Sequence, residues 1–445
     1  MRAYDSVVLT REAGGESYTD VWGPGARERT RRGRRKWWKM NDADGLLFSA
    51  LRVLDVGTWI AGPVAATILA DFGASVIKVE VPGTGDPYRQ LPAVPMMPKS
   101  ELNYSWLADA RNKRGITLNL KSEEGRAILL RLVRECDVFV TNQPLPARRA
   151  FGLTYADLAP LNARMIYASL TAYGETGPDA DLEGFDGVAW WARSGLMDLV
   201  RAPGATPGGS VPGMGDHPTA VALYAGIVTA LLRRERTGAG SEVHTSLLAN
   251  GVWSNLCLAQ AAFVGADFSA RRAPPAAAPS PNRLLYETAD GRLLQLYMVR
   301  TAEELDRLLL AAGREDILAD PRFADQEART EHGAALVALL QDLFRTRPAQ
   351  EWMQLFRAAA VPVSLVTMVE ELPEDEQLRA IEAVTRPADD PVSGPLIINH
   401  PVNVRDLARV GPKPAPEIGE HTDEVLAELG FDAAEIAGLR NRGAV

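Results

Sequence analysis

The chain has 445 residues, 46% of them hydrophobic, and a formal net charge of −9. This acidic balance argues against nucleic acid as a partner, and no apolar run is long enough to span a membrane. The two cysteines and five scattered histidines match neither a disulfide framework nor a metal-ligand spacing, so we expect a globular cytoplasmic protein without a metal site.

The first 47 residues differ in composition from the rest of the chain. A basic run at residues 27–39, RERTRRGRRKWWK, follows a glycine-rich stretch with little periodicity. Such a run is compatible with a nucleic-acid arm or a targeting presequence, but nearby acidic residues and the missing apolar segment count against both. We therefore predict that residues 1–47 are a disordered or non-native extension, with Met40 as a natural start.

Residues 48–270 are predicted to form a large α/β domain. Short apolar runs predict strands over residues 51–57, 75–82, 115–120, 137–142 and 165–174. Helical patterns lie between most of these runs, and this alternation is typical of a parallel sheet that is buried on both faces. Ligands bind such sheets beyond the carboxyl ends of the strands, so we expect a binding edge at the 57–63 loop, Asn142 and Thr171.

The segment at residues 213–236, GMGDHPTAVALYAGIVTALLRRER, predicts a long helix with an acidic residue at its start. Asp216 stands where an N-cap belongs, Pro218 falls in the first turn, and arginines gather at the far end as the helix macrodipole favours. On spacing alone, Asp216 is interpreted as a structural cap. The apolar stretch that follows, at residues 241–263, is also predicted to be helical.

The C-terminal part of the chain predicts a second, smaller unit. Residues 271–283, RRAPPAAAPSPNR, form a proline- and alanine-rich linker, and a hairpin that turns at residues 290–291 follows it. Together with the helical patterns after the hairpin, this predicts an α+β domain over residues 284–375. The last segment, 376–445, contains two amphipathic helices and is expected to return to the large domain.

Motifs along the chain recur together, in the same order, in one family. They are LRVLDVGTWIAGPVAATILADFGASVIKVEVPGTGDPYR, RNKRGITLNLKSEEGRAILLRLVRECDVFVTN, MIYASLTAYGETGP, GFDGVAWWARSGLM, GMGDHPTA and IGEHTDEVLAELG. From about residue 50 to the C-terminus the chain thus resembles the class III CoA-transferases, the family of formyl-CoA transferase and crotonobetainyl-CoA:carnitine CoA-transferase. The resemblance implies a Rossmann-like large domain, a small domain and a homodimer of two interlocked chains.

The resemblance also implies the reaction. In the family, the acidic residue of the G-D motif is the nucleophile, and the residues at that motif here are Gly215 and Asp216. A carboxylate that attacks a thioester forms an acyl-aspartyl anhydride, through which CoA passes from an acyl-CoA to a carboxylic acid acceptor. The expected partners are therefore an acyl-CoA and a carboxylic acid, and CoA enters as a substrate, with no separate cofactor.

The family positions that contact CoA match Ala61 in the first loop, Leu118 in the RNKRGITL segment and Asn142 at the end of DVFVTN. Leu118 is equally compatible with ordinary strand core, and Asn142 with a turn. The basic residues at 111–114 are compatible with a solvated edge or with a phosphate contact.

Two cations that many relatives use are missing from this sequence. Val81 and Ala150 occupy positions where relatives carry basic residues, so Arg148 and Arg149, which lie next to the second position, become candidates for binding the CoA phosphates. Formyl-CoA transferase also has a glutamine where this chain has Ile60. These departures put a formyl or oxalate specificity in doubt and leave the predicted nucleophile unaffected.

Two alternative functions stay open. The α-methylacyl-CoA racemases of the same family use a histidine and an aspartate, and the histidine position is Phe185 here, which cannot exchange a proton. A non-catalytic CoA-binding subunit is the other alternative, because the candidate phosphate cations are few. Trp190 and Trp191 are compatible with packing or with an acyl pocket. By resemblance, residues 273–280 correspond to the loop that shields the anhydride from water in formyl-CoA transferase.

Overall fold

The computed structural model describes residues 45–202, 204–272 and 280–445. Most of the predicted extension at 1–47, and the middle of the predicted linker at 273–279, lie outside the described part of the chain. The described residues form an α/β part with a hydrophobic core on each face of its sheet, and a smaller part with a core of its own.

A parallel sheet of six strands organises the large part. Its strands are β1 (Arg52–Asp55), β2 (Ser75–Glu80), β3 (Lys113–Thr117), β4 (Val138–Thr141), β5 (Ile166–Thr171) and β6 (Ser241–Ser246). They lie in the order β3-β2-β1-β4-β5-β6, and every neighbouring pair is parallel. In this doubly wound strand order the direction of winding reverses between β1 and β4. The predicted α/β class with a Rossmann-like parallel sheet is confirmed.

Helices cover both faces of this sheet. They are α1 (Ala61–Asp71), α2 (Tyr104–Asp109), α3 (Glu123–Val133), α4 (Leu145–Phe151), α5 (Tyr155–Leu158), α6 (Leu196–Leu199), α7 (Asp216–Thr237), α8 (Leu247–Ser254), α9 (Leu256–Phe263) and α10 (Ser269–Arg272). Residues of α1 and α7 share the core on one face, and α3 packs into the core on the other. Every residue of α1 is buried, in keeping with its mostly apolar sequence.

The sixth strand corrects an expectation from the sequence. Residues 241–263 are predicted to be wholly helical, but β6 occupies the start of this stretch and pairs with β5 before α8 and α9 begin. This strand lies at the sheet edge, where partly buried and exposed side chains alternate. Its polar sequence, SEVHTS, lacks the continuous apolar run of a central strand, so only a short period-2 pattern distinguishes it from the helices that follow.

The smaller part combines an antiparallel sheet with several helices. Its strands are β7 (Leu285–Glu287), β8 (Leu293–Gln295) and β9 (Ser364–Leu365), and its helices are α11 (Ala302–Ala311), α12 (Glu315–Leu318), α13 (Gln326–Glu331), α14 (Gly333–Phe344) and α15 (Ala349–Ala358). β7 and β8 form the predicted hairpin, which turns at residues 290–291. The domain limits 284–375 stay a prediction.

Two adjacent leucines in α11 differ in burial, so their substitution tests how tightly the core of the smaller part is packed. Leu309 is fully buried, with 0% exposure, whereas Leu310 is 52% exposed. We expect Leu309→Ala to lower the free energy of unfolding by about 2–5 kcal/mol, because it leaves a cavity in a packed core. Leu310→Ala is expected to change it by less than about 1 kcal/mol. Urea unfolding followed by circular dichroism measures both changes, and equal effects would contradict this packing.

The last segment of the chain crosses back to the large part. It contains β10 (Val384–Thr385), β11 (Ile397–Ile398), α16 (Glu376–Ala380), α17 (Thr422–Glu428) and α18 (Ala433–Asn441). Thr117 in β3 donates its backbone N–H to the Thr422 hydroxyl at 3.0 Å, and residues of α17 and α18 complete the core on the α3 face. No helix within the described ranges combines the length and apolar character needed to cross a membrane.

Candidate active site

A cleft opens at the carboxyl edge of the sheet, where the winding direction reverses between β1 and β4. Its volume is about 270 Å³, and it is lined by the loops after β1, β4 and β5 and by the start of α7. Asn142 ties the first two loops together, since its side chain accepts from the Thr58 N–H at 2.8 Å and donates to the Thr58 carbonyl at 2.7 Å. The predicted site residues Ala61, Asn142 and Asp216 all line this cleft.

Asp216 is the first residue of α7, and its side chain is the acidic group at the helix N-terminus. The N-cap position belongs to Gly215, and the Asp216 side chain makes no capping hydrogen bond, so the expectation that Asp216 is the N-cap is wrong. The helix starts one residue after Gly215, and the carboxyl group lines the cleft instead. Burial and the nearby carboxylates Asp186 and Asp109 raise the pKa of Asp216 to about 7, while His217 acts in the opposite direction.

Close packing holds Gly215, the residue before the carboxylate. A Cβ atom built on Gly215 would lie 2.5 Å from Cγ of Trp190, which leaves no room for a side chain. The Gly215 N–H donates to Asp186 at 2.9 Å, and Asp186 also accepts from the Gly187 N–H at 2.8 Å. Trp190 and Trp191 are buried and stacked on each other, so their contacts favour packing over an acyl pocket.

Two aromatic rings stand together at the cleft. Phe185 and Trp59 both line it and meet edge to face, with ring centroids 5.4 Å apart. The Trp59 backbone has a φ of 61°, a left-handed conformation that costs a non-glycine residue about 1 kcal/mol or more. Its N–H donates to Asp86 at 2.9 Å, and this bond helps to hold the strained loop. The loop after β1 therefore holds Trp59 at the cleft.

A chain of polar side chains flanks Asp216 on the α2 side. The Tyr88 hydroxyl donates to the Asp109 carboxylate at 2.5 Å. Nε2 of His217 lies 3.3 Å from both Asp109 oxygens, and Nδ1 of the same ring lies 2.9 Å from the Gly213 carbonyl oxygen. Burial, the charge of Asp109 and the hydrogen bond to Asp109 raise the pKa of Tyr88, so the phenol remains a donor. His217, the residue after Asp216, is thus held in place by Asp109 and by the Gly213 carbonyl group.

A buried charge network lies beneath the first loop. Asp55 and Lys113 are fully buried, and their side chains pair at 2.9 Å. Lys78 lies 4.0 Å from Asp55 and pairs with Asp86 at 2.8 Å. Burial opposes ionisation of Asp55, but Lys113 and Lys78 outweigh it and hold its pKa below the ordinary value. Asp55 also accepts from the Gly57 N–H at 3.1 Å, so the network anchors the start of the loop that lines the cleft.

Ion pairs inside the protein change the interpretation of the basic residues at 111–114. Arg111 and Lys113 are buried, so neither belongs to a solvated edge. Arg111 pairs with Asp71 at 2.6 Å, while Lys113 pairs with Asp55. Both cations are thus engaged inside the protein, so this geometry lends no support to a phosphate contact for either.

Three other predicted CoA residues are not among the residues that line the cleft. Leu118 is 1% exposed and belongs to the core on the α3 face. Arg148 is buried and pairs with Glu175 at 2.8 Å, while Arg149 is exposed and pairs with Asp181 at 2.8 Å. Their contribution to CoA binding stays a prediction, and these contacts show that both arginines already have carboxylate partners.

Tyr88, Asp109 and Asp186 are site residues that the sequence did not reveal as such. Asp109 is the last residue of α2, where the macrodipole disfavours a carboxylate that has no compensating partner. That partner, His217, is distant in the sequence, and only the folded chain brings the two together.

The fold and the cleft define an α/β enzyme of the doubly wound class, with an acidic residue at a helix N-terminus in its switch-point cleft. The sequence profile of CoA-transferase family III matches residues 48–422, and the chain belongs to that family. It is therefore a CoA-transferase, as the resemblance implies.

Two relatives that match nearly the whole chain are named as CoA-transferases. The chain is 32% identical to (R)-2-hydroxy-4-methylpentanoate CoA-transferase of Clostridioides difficile, over 89% of this chain and 98% of that protein. It is 33% identical to cinnamoyl-CoA:phenyllactate CoA-transferase of Clostridium sporogenes, over 88% and 96% respectively. The crystal structure of a CAIB/BAIF family protein from Brucella suis is similar with a TM-score of 0.72 and 28% identity, covering 85% of this chain and 98% of that one.

Proposed function

We propose that Asp216 is the nucleophile and that CoA transfer proceeds through an aspartyl-acyl anhydride. The observation that carries this proposal is the placement of the carboxyl group at the N-terminus of α7, in the cleft and without a capping bond. A carboxylate that served only the fold would be expected to bond the backbone N–H groups of its own helix. The N-terminal end of the macrodipole favours the ionised form that attacks.

The first half of the reaction needs only the carboxylate and the thioester. A carboxylate oxygen of Asp216 bonds to the thioester carbonyl carbon, the C–S bond breaks, and CoA leaves as a thiolate. The thiolate then bonds to the side-chain carbonyl carbon of Asp216, the anhydride C–O bond breaks, and the donor acid leaves as a carboxylate. The product is an aspartyl-CoA thioester, and no net proton transfer is required.

The second half runs through the same bonds with the acceptor acid. An oxygen of the acceptor carboxylate bonds to the side-chain carbonyl carbon of the aspartyl-CoA thioester, the C–S bond breaks, and the CoA thiolate leaves. This step forms a second anhydride, between Asp216 and the acceptor acid. The thiolate then attacks the acceptor carbonyl carbon, so that the new acyl-CoA leaves and the Asp216 carboxylate is regenerated. Fixed backbone dipoles at the start of a helix stabilise the oxyanion of each tetrahedral intermediate.

The acids exchanged are proposed to be 2-hydroxy acids with apolar side chains and their unsaturated relatives. The names of two similar CoA-transferases point to this class, and aromatic Trp59 and Phe185 at the cleft are compatible with it. A panel of radiolabelled or mass-tagged acceptors with a common acyl-CoA donor tests it. Preference for oxalate, succinate or glutarate over 2-hydroxy-4-methylpentanoate and phenyllactate would overturn this choice of acids and leave the anhydride proposal standing.

Trapping the anhydride tests the mechanism. The protein is incubated with a panel of acyl-CoA thioesters, quenched with hydroxylamine and digested, and the modified residue is identified by mass spectrometry. A hydroxamate on Asp216 is expected, because hydroxylamine attacks anhydrides and thioesters of the side chain. No adduct with any thioester would contradict the proposal. Exchange of solvent deuterium into the acyl α-carbon without CoA transfer would favour the racemase alternative.

We also propose that the protein is a cytoplasmic homodimer. A homodimer of interlocked chains follows from the resemblance, and a cytoplasmic location follows from the cysteine usage. Small-angle scattering at several protein concentrations measures the molecular mass of the assembly, because interlocked chains keep the mass of a dimer on dilution. A scattering mass equal to one chain at all concentrations would rule out the homodimer.

A further inference from the structure

The two ring nitrogens of His217 both face acceptors. The Gly213 carbonyl oxygen has no proton to donate, and the Asp109 carboxylate already accepts from the Tyr88 hydroxyl. A neutral imidazole carries one N–H, so it would set a nitrogen lone pair against one of these oxygens. An imidazolium, with an N–H on each nitrogen, satisfies both contacts. The geometry therefore selects the charged form of His217.

The charges around this ring are predominantly negative. Asp109 reaches it from α2, Asp216 precedes it in α7, and Asp186 lies close to Asp216 from the segment before the tryptophan pair. Tyr88 is neutral and donates to Asp109. Three carboxylates crowded together repel one another, and a cation among them offsets the repulsion that opposes ionisation of Asp216. Asp109 and Asp186 accept several hydrogen bonds, whereas Asp216 caps no N–H of its helix.

We propose that the His217 imidazolium is the fixed cation that keeps the Asp216 carboxylate ionised for attack, and that Asp109, oriented by Tyr88, holds this cation in place. The inference rests on the proposed role of Asp216 and adds to it the residues that control its charge. His217 is a positioning residue, since it acts through Asp216 and not on the acyl group.

The titration behaviour of the two neighbours is consistent with this role. Burial lowers the pKa of His217, but the bond to Asp109, its charge, the Gly213 carbonyl and Asp216 outweigh burial and raise it to about 9. The pKa of Asp216 is about 7. The imidazole therefore keeps its charge throughout the range in which the carboxylate gains or loses its proton.

The test follows the rate at which the Asp216 adduct forms, from pH 5.5 to pH 9.5, in single-turnover reactions with an acyl-CoA. In His217→Gln the midpoint of the acidic limb is expected to rise by about one pH unit, because an opposite charge beside the carboxylate is lost. At pH 6 the rate then falls by about tenfold, and at high pH it returns to that of the unchanged protein. His217→Lys, which keeps a cation, is expected to retain the original midpoint. His332→Gln makes the same chemical change at the start of α14 and serves as the matched control.

An unchanged midpoint in His217→Gln overturns the inference. A folded His217→Gln protein that forms no adduct at any pH also overturns it, since raising the pH must restore the ionised carboxylate of Asp216. Failure of the unchanged protein to form any adduct rejects the proposed function instead. If His217→Gln does not fold, ¹⁵N NMR of the His217 imidazole replaces the rate measurement. His217 is then expected to stay protonated above pH 8 in the unchanged protein and to have a lower pKa in Asp109→Asn. An imidazole that titrates near 6.5 in the unchanged protein overturns the inference.

Discussion

Asp216→Asn is expected to abolish the covalent adduct and to lower CoA transfer by about 10⁴-fold, because an amide has no anionic oxygen with which to attack a thioester. Steady-state transfer assays and the hydroxylamine trap measure the two effects. Glu183→Gln is the matched control, since Glu183 also lines the cleft but is an exposed side chain outside the helix start. Full transfer activity in Asp216→Asn would sink the anhydride mechanism.

The same substitution is expected to stabilise the fold at alkaline pH. The folded-state pKa of Asp216, about 7, lies above the ordinary value of 3.8, so folding favours the protonated carboxyl group. The cost of ionising it in the folded state is absent at low pH, grows as the pH rises above the unfolded pKa, and is fully present above pH 7. We expect Asp216→Asn to raise the free energy of unfolding by about 1–3 kcal/mol at pH 8 and to have little effect near pH 4. Denaturant titrations at the two pH values measure the difference, and a larger gain at the acidic pH would contradict it.

Asp55→Asn is expected to lower the free energy of unfolding by about 3–5 kcal/mol, because it leaves Lys113 charged inside the protein without its carboxylate partner. Both side chains have 0% exposure, so neither charge is solvated. Lys78 keeps Asp86 as partner, so the loss falls mainly on Lys113. The start of the first cleft loop also loses the bond from the Gly57 N–H to Asp55, so CoA transfer is expected to fall as well.

Two comparisons isolate the buried charge as the cause. Asp198→Asn removes one member of an exposed pair with Arg201, and it is expected to change stability by less than about 1 kcal/mol. The double replacement of Asp55 by Leu and Lys113 by Met removes both buried charges, and it is expected to recover most of the stability that Asp55→Asn loses. If the double variant is as unstable as the single one, packing and not the unpaired cation is the cause.

Most strands of the sheet were predictable because each consists of a short apolar run. β1, β2, β4 and β5 lie within the predicted runs, and β3 begins two residues before its predicted start because it includes buried Lys113. A buried lysine is not expected at the start of a strand, and its contact with Asp55 compensates its charge. β6 was missed because an edge strand needs no apolar run.

The sequence by itself determined the α/β class, the family and Asp216 as the leading candidate for the nucleophile, since these depend on periodicity and on motifs whose residues are close together in the chain. The tertiary structure decided the surroundings of that carboxyl group. It places Asp216 at the first helical residue and not at the N-cap, and it places His217 in contact with Asp109. It also showed that Arg148 and Lys113 are paired with carboxylates inside the fold. These contacts join residues that are far apart in the sequence, and the charge state of a buried group depends on such neighbours, so no local pattern could reveal them.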